Sequence, residues 1–166
     1  MTWIVRDECP SDIPTIHEIT VAAFATKAFG DGTEGDLIDS LRRDGDLTLS
    51  LVAELDGLVV GQVSLSPATV GSADGWYGLG AVAVAPDNFK HGIGSTLIRT
   101  ALGRLAEQGA AGVVLAGDPR YYSRFGFVND GSVQYLDTDA KNVMYRTLNG
   151  PTATGAITFA PALHGA

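Results

Sequence analysis

A strand-like run that ends at Val82-Ala83-Val84 is followed by a polar turn and then by two glycines that begin a helical pattern. Gly92 and Gly94 allow a bound ligand to approach the backbone closely. The first N–H groups of a helix lack partners within the helix, and the helix dipole favours an anion there. Lys90 adds a positive charge beside them. The segment therefore predicts a phosphate site, and a tight turn is the alternative that explains the glycines alone.

Other phosphate and nucleophile motifs do not fit the sequence. The segment lacks the Gly-Lys-Ser/Thr ending of a Walker A loop and the third glycine of a dinucleotide fingerprint. Cys9 is the single cysteine and has no evident histidine partner, so we expect a structural thiol rather than a nucleophile. The three histidines, His17, His91 and His164, are scattered and form no zinc-binding spacing, so neither a metal nor a catalytic histidine is expected.

Composition limits the class of protein. The chain has 166 residues, of which 45% are hydrophobic and 18% charged, and its net charge is −8. Because no linker or repeat divides it, we expect one globular domain over residues 1–166. The negative charge argues against nucleic acid as a partner and is compatible with a cationic amine substrate. The N-terminus lacks a signal-peptide pattern and no apolar run approaches the ~18 residues that cross a bilayer, which favours a cytoplasmic protein without membrane contact.

Periodicity and turn signals predict an α/β fold whose mixed sheet has antiparallel and parallel parts. The expected helices cover residues 11–25, 33–43, 92–108 and 118–124, with Ser11 and Asp118 as N-caps. The expected strands cover residues 3–6, 49–54, 58–66, 76–84, 112–116, 133–136, 143–147 and 156–159, and residues 69–75 are expected to form a loop. Asp56-Gly57 predicts a tight hairpin turn between the second and third strands.

The segment after Val84 resembles the pyrophosphate loop of the GCN5-related N-acetyltransferase (GNAT) superfamily, whose pattern is Gln/Arg-x-x-Gly-x-Gly/Ala after a strand ending in valine. Residues 89–94 align with that pattern, with Phe89 at the Gln/Arg position and Asn88 where an aromatic usually precedes it. Further landmarks occur in the expected order over residues 3–130: Arg6-Asp7 and Asp12-Ile13-Pro14, Asp56 to Gly61, Gly112 to Leu115, and Tyr121 to Phe127 as the Tyr-x-x-x-Gly-Phe signature. Gly117-Asp118-Pro119 and the tail from Leu148 to Phe159 resemble the YhbS-like branch of predicted N-acetyltransferases.

The resemblance implies a fold and a co-substrate. The fold is that of the acyl-CoA N-acyltransferases, a mostly antiparallel central sheet flanked by helices in which strands four and five splay apart. The co-substrate is acetyl-CoA, and no metal is implied. The pantetheine arm would pair with the strand edge formed by Ala81, Val82, Ala83 and Val84, with the backbone of Val82 at the thioester. The pyrophosphate would contact the turn and the first helical residues, namely Lys90, His91, Gly92, Ile93, Gly94 and Ser95.

The resemblance also implies a mechanism in which an acceptor amine attacks the thioester directly, by proximity and without an acyl-enzyme. Tyr122 corresponds to the family's general acid, and its alternative role is structural packing. Many relatives carry a glutamate base on the fourth strand, but residues 76–84 contain no carboxylate. Glu34 on the second helix is therefore our candidate for the base, with Asp74 and Asp118 as alternates. A helix-start carboxylate with no catalytic role also explains Glu34, and a water chain is the other route for the proton.

Two other functions remain compatible with the sequence. A non-catalytic acyl-CoA sensor on the same fold is favoured by Phe89 and by the missing carboxylate of the fourth strand. A phosphate-binding module for a nucleotide or sugar phosphate would use Gly92 and Gly94 but would leave the match at Tyr122 unexplained. The acceptor, either a small molecule or a protein, is not identified by the sequence. Pairing of exposed strand edges near the C-terminus into a homodimer is also compatible with it.

Overall fold

A computed structural model describes residues 3–25 and 33–163. The chain groups into two compact units, the first comprising Met1–Leu65 and Gly80–Ala101 and the second Ser66–Leu79 and Leu102–Ala166. No helix in the part of the chain that the structure describes is long and apolar enough to cross a membrane. His164, from the sequence analysis, lies outside the described residues.

The helices and strands follow one another along the chain in the order that the sequence predicts. The strands are β1 Trp3–Asp7, β2 Leu49–Leu55, β3 Leu58–Val70, β4 Ala73–Val84, β5 Gly112–Ala116, β6 Val133–Gln134, β7 Val143–Thr147 and β8 Gly155–Thr158. The α-helices are α1 Ile13–Ala25, α2 Glu34–Arg43, α3 Ile93–Glu107 and α4 Pro119–Tyr122. Single 3₁₀ turns cover Pro10–Asp12, Pro86–Asn88, Ser123–Phe125 and Ala140–Asn142.

Two local predictions were wrong. The loop expected over residues 69–75 is mostly strand, because β3 runs to Val70 and β4 begins at Ala73. Thr69 and Val70 pair with β8, a partner almost ninety positions away that no local signal reveals. Ser11 is not the cap at the start of α1. Cys9 is the N-cap of the 3₁₀ turn that leads into α1, and Asp12 at position N3 completes a capping box, since its Oδ2 accepts the backbone N–H of Cys9 at 2.7 Å.

In the first unit, β1, β2 and the start of β3 form an antiparallel sheet. Val52 of β2 packs with Ile16 of α1 and Ile38 of α2, so both helices cover one face of this sheet. Gly61 of β3 lies beside Ile93 and Leu97, so α3 covers the other face. The amphipathic patterns read from the sequence therefore supply both layers.

In the second unit, β4 and β5 pair in parallel over three residues, from Trp76 with Gly112 to Gly78 with Val114. Strand β5 pairs antiparallel with β7, the end of β3 pairs antiparallel with β8, and β6 runs parallel to β8. Trp76 lies buried in this core at 2% exposure. The mixed sheet with flanking helices is the fold class that the sequence predicts, and the prediction is confirmed.

Candidate functional site

The turn between β4 and α3 has an unusual backbone. After the Pro86–Asn88 turn, Phe89 is extended, Lys90 has φ +68° and Gly92 has φ +80°. A positive φ is strained for a lysine and free for a glycine, so the sequence tolerates strain at one position and avoids it at the other. Such alternations of backbone conformation turn successive N–H groups toward one point and create anion-binding concavities.

The helix that follows begins with free donors. Its first backbone hydrogen bond runs from Thr96 N–H to Gly92 C=O at 3.0 Å. The N–H groups of Ile93, Gly94 and Ser95 precede that bond and point out of the helix start. The side chain of Ile93 is buried at 1% exposure and anchors this end of α3. The arrangement suits an anion on the helix axis.

Space is available at this turn. A Cβ at Gly92 would meet nothing within 4 Å among the described residues, and Lys90 and His91 are exposed. His91 therefore offers its backbone N–H and an exposed ring. An open concavity of N–H groups beside one lysine fits a diphosphate, whose negative charges need several donors.

The strand that would carry the thioester lies just before this turn. Ala81 and Ala83 are buried against α1, and Val82 and Val84 alternate with them and are half-buried. The N–H of Ala85 donates to the carbonyl of Val60 at 2.8 Å. This bond joins the end of β4 to β3 before the chain turns, so the strand edge and the anion turn of residues 85–92 both belong to the first unit.

Tyr122 is the last residue of α4 in the second unit. Asp118 caps this short helix, since its Oδ1 accepts the Arg120 backbone N–H at 2.9 Å. The Tyr122 ring meets Tyr121 edge-on at a centroid distance of 5.0 Å and Phe127 at 6.1 Å. The Tyr-x-x-x-Gly-Phe signature therefore builds one aromatic cluster around the candidate acid.

The environment of Tyr122 keeps its phenol protonated. Burial raises the pKa of Tyr122 well above its usual range, and the charges of Tyr121 and Asp118 raise it further. A phenol with such a pKa is a hydrogen-bond donor at every physiological pH. Aromatic packing and a donor role are both compatible with this surrounding.

The candidate bases differ in their surroundings. Glu34 is the first residue of α2 and is half-buried, with Asp36 in the same turn. Asp74 lies near the start of β4 and is exposed. Hydrogen bonds from the side chain and backbone of Arg120 lower the pKa of Asp118, which makes that carboxylate a weaker base. Among the three, Glu34 keeps the position and partial burial expected of a base.

Other polar residues are brought together only by folding. His17 Nδ1 of α1 and Asp39 Oδ2 of α2 are hydrogen-bonded at 2.8 Å, and Asp36 lies close enough that the three ligand atoms are within 4.8 Å of one another. The scattered histidines of the sequence gave no sign of this group. Asp39 also accepts from Arg42 of the same helix at 3.2 Å, so its bonds to His17 and Arg42 account for the cluster. Cys9 is exposed, and its sulfur accepts from the Arg6 guanidinium at 3.7 Å.

The sequence did not predict a row of buried polar residues on β3. Gln62, Ser64 and Ser66 are fully buried and alternate with Val63 and Leu65. The alternation of polar and apolar residues is visible in the sequence, but a strand that is polar on one side normally exposes that side. The sequence alone does not tell that α1 and α2 cover the face of Gln62 and Ser64.

Comparison with known proteins places these features in a family context. A family model described as an acetyltransferase (GNAT) domain matches residues 46–129. The uncharacterized N-acetyltransferase YhbS of Escherichia coli K12 is 40% identical over 126 residues, which cover 75% of this chain and 72% of that protein. The residues that the family model matches include β4, α3, the turn between them and Tyr122.

Two solved structures share the fold. A GNAT family acetyltransferase from Brucella melitensis in complex with acetyl-CoA superposes with a TM-score of 0.85 at 39% identity, over 97% of each chain. YhbS from Escherichia coli in complex with CoA superposes with a TM-score of 0.82 at 32% identity, over 96% of this chain and 91% of that one. Both similarities extend over nearly the whole chain.

Proposed function

The chain belongs to the GNAT acetyltransferase family, and from this premise we propose that it transfers the acetyl group of acetyl-CoA to a primary amine of its acceptor by direct attack in a ternary complex. The observation that carries the proposal is the open anion turn at Gly92, which lies at the start of a fifteen-residue helix directly after β4. The Brucella relative, similar over nearly its whole length, binds acetyl-CoA.

Residues of the first unit supply the contacts that bind the co-substrate. The N–H groups of Gly92, Ile93, Gly94 and Ser95, with those of Lys90 and His91, hold the pyrophosphate, and the Lys90 ammonium adds charge. The edge of β4 from Ala81 to Val84 pairs with the pantetheine arm, and the backbone of Val82 holds the thioester. Because main-chain groups make these contacts, Phe89 in place of Gln or Arg is tolerated.

Bound acetyl-CoA supplies a thioester carbon that the amine attacks, so that a C–N bond forms, the C–S bond breaks and a thiolate leaves. Tyr122 donates a hydrogen bond to the leaving sulfur. Its raised pKa exceeds the value of about 8.5 for a free thiol, so a complete transfer from the phenol runs uphill. Tyr122 therefore stabilises the developing thiolate as a donor, and solvent completes the protonation.

The attacking amine must lose a proton, since an alkylammonium has a pKa of about 10.4. We assign this step to Glu34, whose half-buried carboxylate at the start of α2 lies on a helix that commonly lines the acceptor site in this family. A water chain is the alternative acceptor of the proton. Asp74 is exposed and Asp118 is held by Arg120, which makes both weaker candidates.

Thermal unfolding with acetyl-CoA, CoA, ADP or no ligand tests the binding step, beside Gly92→Glu. A ligand that binds only the folded state at about 100 times its dissociation constant adds about 2.7 kcal/mol. We expect acetyl-CoA and CoA to raise the midpoint and Gly92→Glu to abolish the rise. Absence of any shift with millimolar CoA species would refute the proposal.

A second experiment tests turnover. CoA release is followed with a panel of amines, amino acids and lysine peptides, with Tyr122→Phe as the control. Release that depends on an amine distinguishes an acetyltransferase from a non-catalytic acyl-CoA sensor, which Phe89 and the carboxylate-free stretch of residues 76–84 would otherwise favour. Stabilisation by ADP without CoA would instead support a nucleotide-binding module. The cytoplasmic location and the homodimer stay predictions.

A further inference from the structure

Three buried side-chain oxygens on β3, those of Gln62, Ser64 and Ser66, have no hydrogen-bond partner among the described residues. Gln62 and Ser64 are both 0% exposed, and within residues 3–25 and 33–163 neither Gln62 Oε1 nor Ser64 Oγ has a hydrogen-bond partner. The two residues lie two positions apart on one strand, so their side chains share a face. Val52 is the cross-strand neighbour of Gln62 and packs with Ile16 and Ile38, so this face is covered by α1 and α2.

The orientation of Gln62 is fixed by a directional series of hydrogen bonds. Gln62 Nε2 donates to Ser50 Oγ at 3.0 Å, and Ser50 Oγ donates to Glu8 Oε1. Arg42 holds both oxygens of Glu8, through Nη2 at 2.8 Å and Nε at 3.2 Å. Every donor in the series points toward Glu8. Gln62 Oε1 therefore faces the other way and can only accept.

Leaving both atoms unpaired is costly in this surrounding. A buried polar group without a partner loses its hydration with no compensation, whereas immobilising one small donor costs little. A charged donor does not fit, because apolar side chains line this face and the Glu8 carboxylate is already neutralised by Arg42. Full enclosure also restricts the occupant to a small molecule.

We propose that Gln62 Oε1 and Ser64 Oγ form a buried subsite for one small, uncharged N–H or O–H donor. Two sources supply this chemistry, a resident water molecule and the neutral amine of a small acceptor. The subsite itself stands independently of the catalytic residues assigned above, and only the amine source rests on the proposed function. The series from Glu8 and Arg42 through Ser50 sets the acceptor orientation of Gln62.

The first test is a double-mutant cycle on the unfolding equilibrium measured with urea. If a shared donor occupies the subsite, Ser64→Ala lowers the folding equilibrium constant by about fivefold or more, and this loss shrinks in a Gln62→Met background. If the subsite is empty, Ser64→Ala removes an unpaired hydroxyl and is neutral or stabilising in both backgrounds, which overturns the proposal. Thr20→Val is the matched control, because buried Thr20 bonds to the carbonyl of Ile16 in its own helix and shares no ligand.

The second test identifies the source by NMR, using the side-chain amide protons of Gln62 in the unliganded chain. A long-lived water gives a nuclear Overhauser effect to these protons that Ser64→Ala abolishes. Hydroxylamine, a small donor largely uncharged at neutral pH, should shift the same signals if an amine enters, and methylammonium should not. Either response supports the subsite and names its occupant. The proposal is contradicted if neither the water Overhauser effect nor the hydroxylamine shift is seen and Ser64→Ala does not change the stability. If the subsite is occupied but no amine-dependent CoA release is found, the subsite proposal is retained and only the proposed function is refuted.

Discussion

Gly117 lies directly against the ring of Tyr122. A Cβ at position 117 would lie 2.7 Å from Tyr122 Cε2 and 3.1 Å from Cδ2, closer than side chains pack. The residue after β5 is therefore a glycine because the ring occupies the space where a side chain would begin. We therefore infer that Gly117 acts by positioning the ring of the candidate acid.

Gly117→Ala should displace the Tyr122 ring and lower kcat by about tenfold, while KM for acetyl-CoA stays near the wild-type value. CoA release measures both parameters. In a Tyr122→Phe background the same change should cost almost nothing further, because the donor is already gone. Gly103→Ala on α3 is the control, since a Cβ there meets nothing within 4 Å. Equal losses in both backgrounds would contradict the positioning role.

Tyr122→Phe should lower kcat by about 10- to 100-fold, the effect of losing one hydrogen bond to a charged group. Tyr121→Phe keeps the edge-on ring contact and should change kcat little. Full activity of Tyr122→Phe would assign the phenol to packing alone.

The pH dependence of kcat should lack a falling limb from Tyr122. The phenol donates only below its pKa, and a raised pKa extends that donor form to higher pH than for a free tyrosine. Between about pH 7 and 10 we therefore expect no loss of rate through this group. Ultraviolet titration of phenolate, compared with Tyr122→Phe, checks the same ionisation. A rate that falls near pH 8 in the wild type but not in the variant would disprove it.

Gly92→Ala should weaken CoA binding more than it destabilises the fold. The substitution strains a backbone at φ +80° by about 1–2 kcal/mol and distorts the N–H groups of the turn. Gly131→Ala is the matched control, with φ +86° and equally open space in another turn. Calorimetric titration with CoA should show a weaker affinity for Gly92→Ala alone. Equal affinities for the two variants would remove Gly92 from the site.

Asp12→Asn should destabilise the fold at neutral pH by about 1–3 kcal/mol. Hydrogen bonds from Arg6 lower the pKa of this buried carboxyl, and the backbone N–H of Cys9 lowers it further. Its contribution is therefore present above the unfolded value of about 3.9 and lost as the pH falls through the lower folded value. Urea unfolding at several pH values should show the variant converging with the wild type in acid. Asp44→Asn, an exposed partner of Arg43, should have little effect at any pH.

The local elements were predictable because short-range signals encode them. Asp56 and Gly57 both have positive φ, as the hairpin turn required. The apolar stripe of α3 and the glycines at its start predicted a helix, and that helix extends over Ile93–Glu107. These features depend on residues within a few positions of one another.

Tertiary structure alone decided the rest. The extension of β3 to Val70 depends on pairing with Ile157, and the row of Gln62 and Ser64 is buried because α1 and α2 lie over it. The sequence by itself determined the family, and it predicted the phosphate-type turn and the candidate acid. Only the folded chain decided which polar atoms are enclosed and why Gly117 is required. The physical reason is that burial and close packing depend on partners far away in sequence, which no local pattern records.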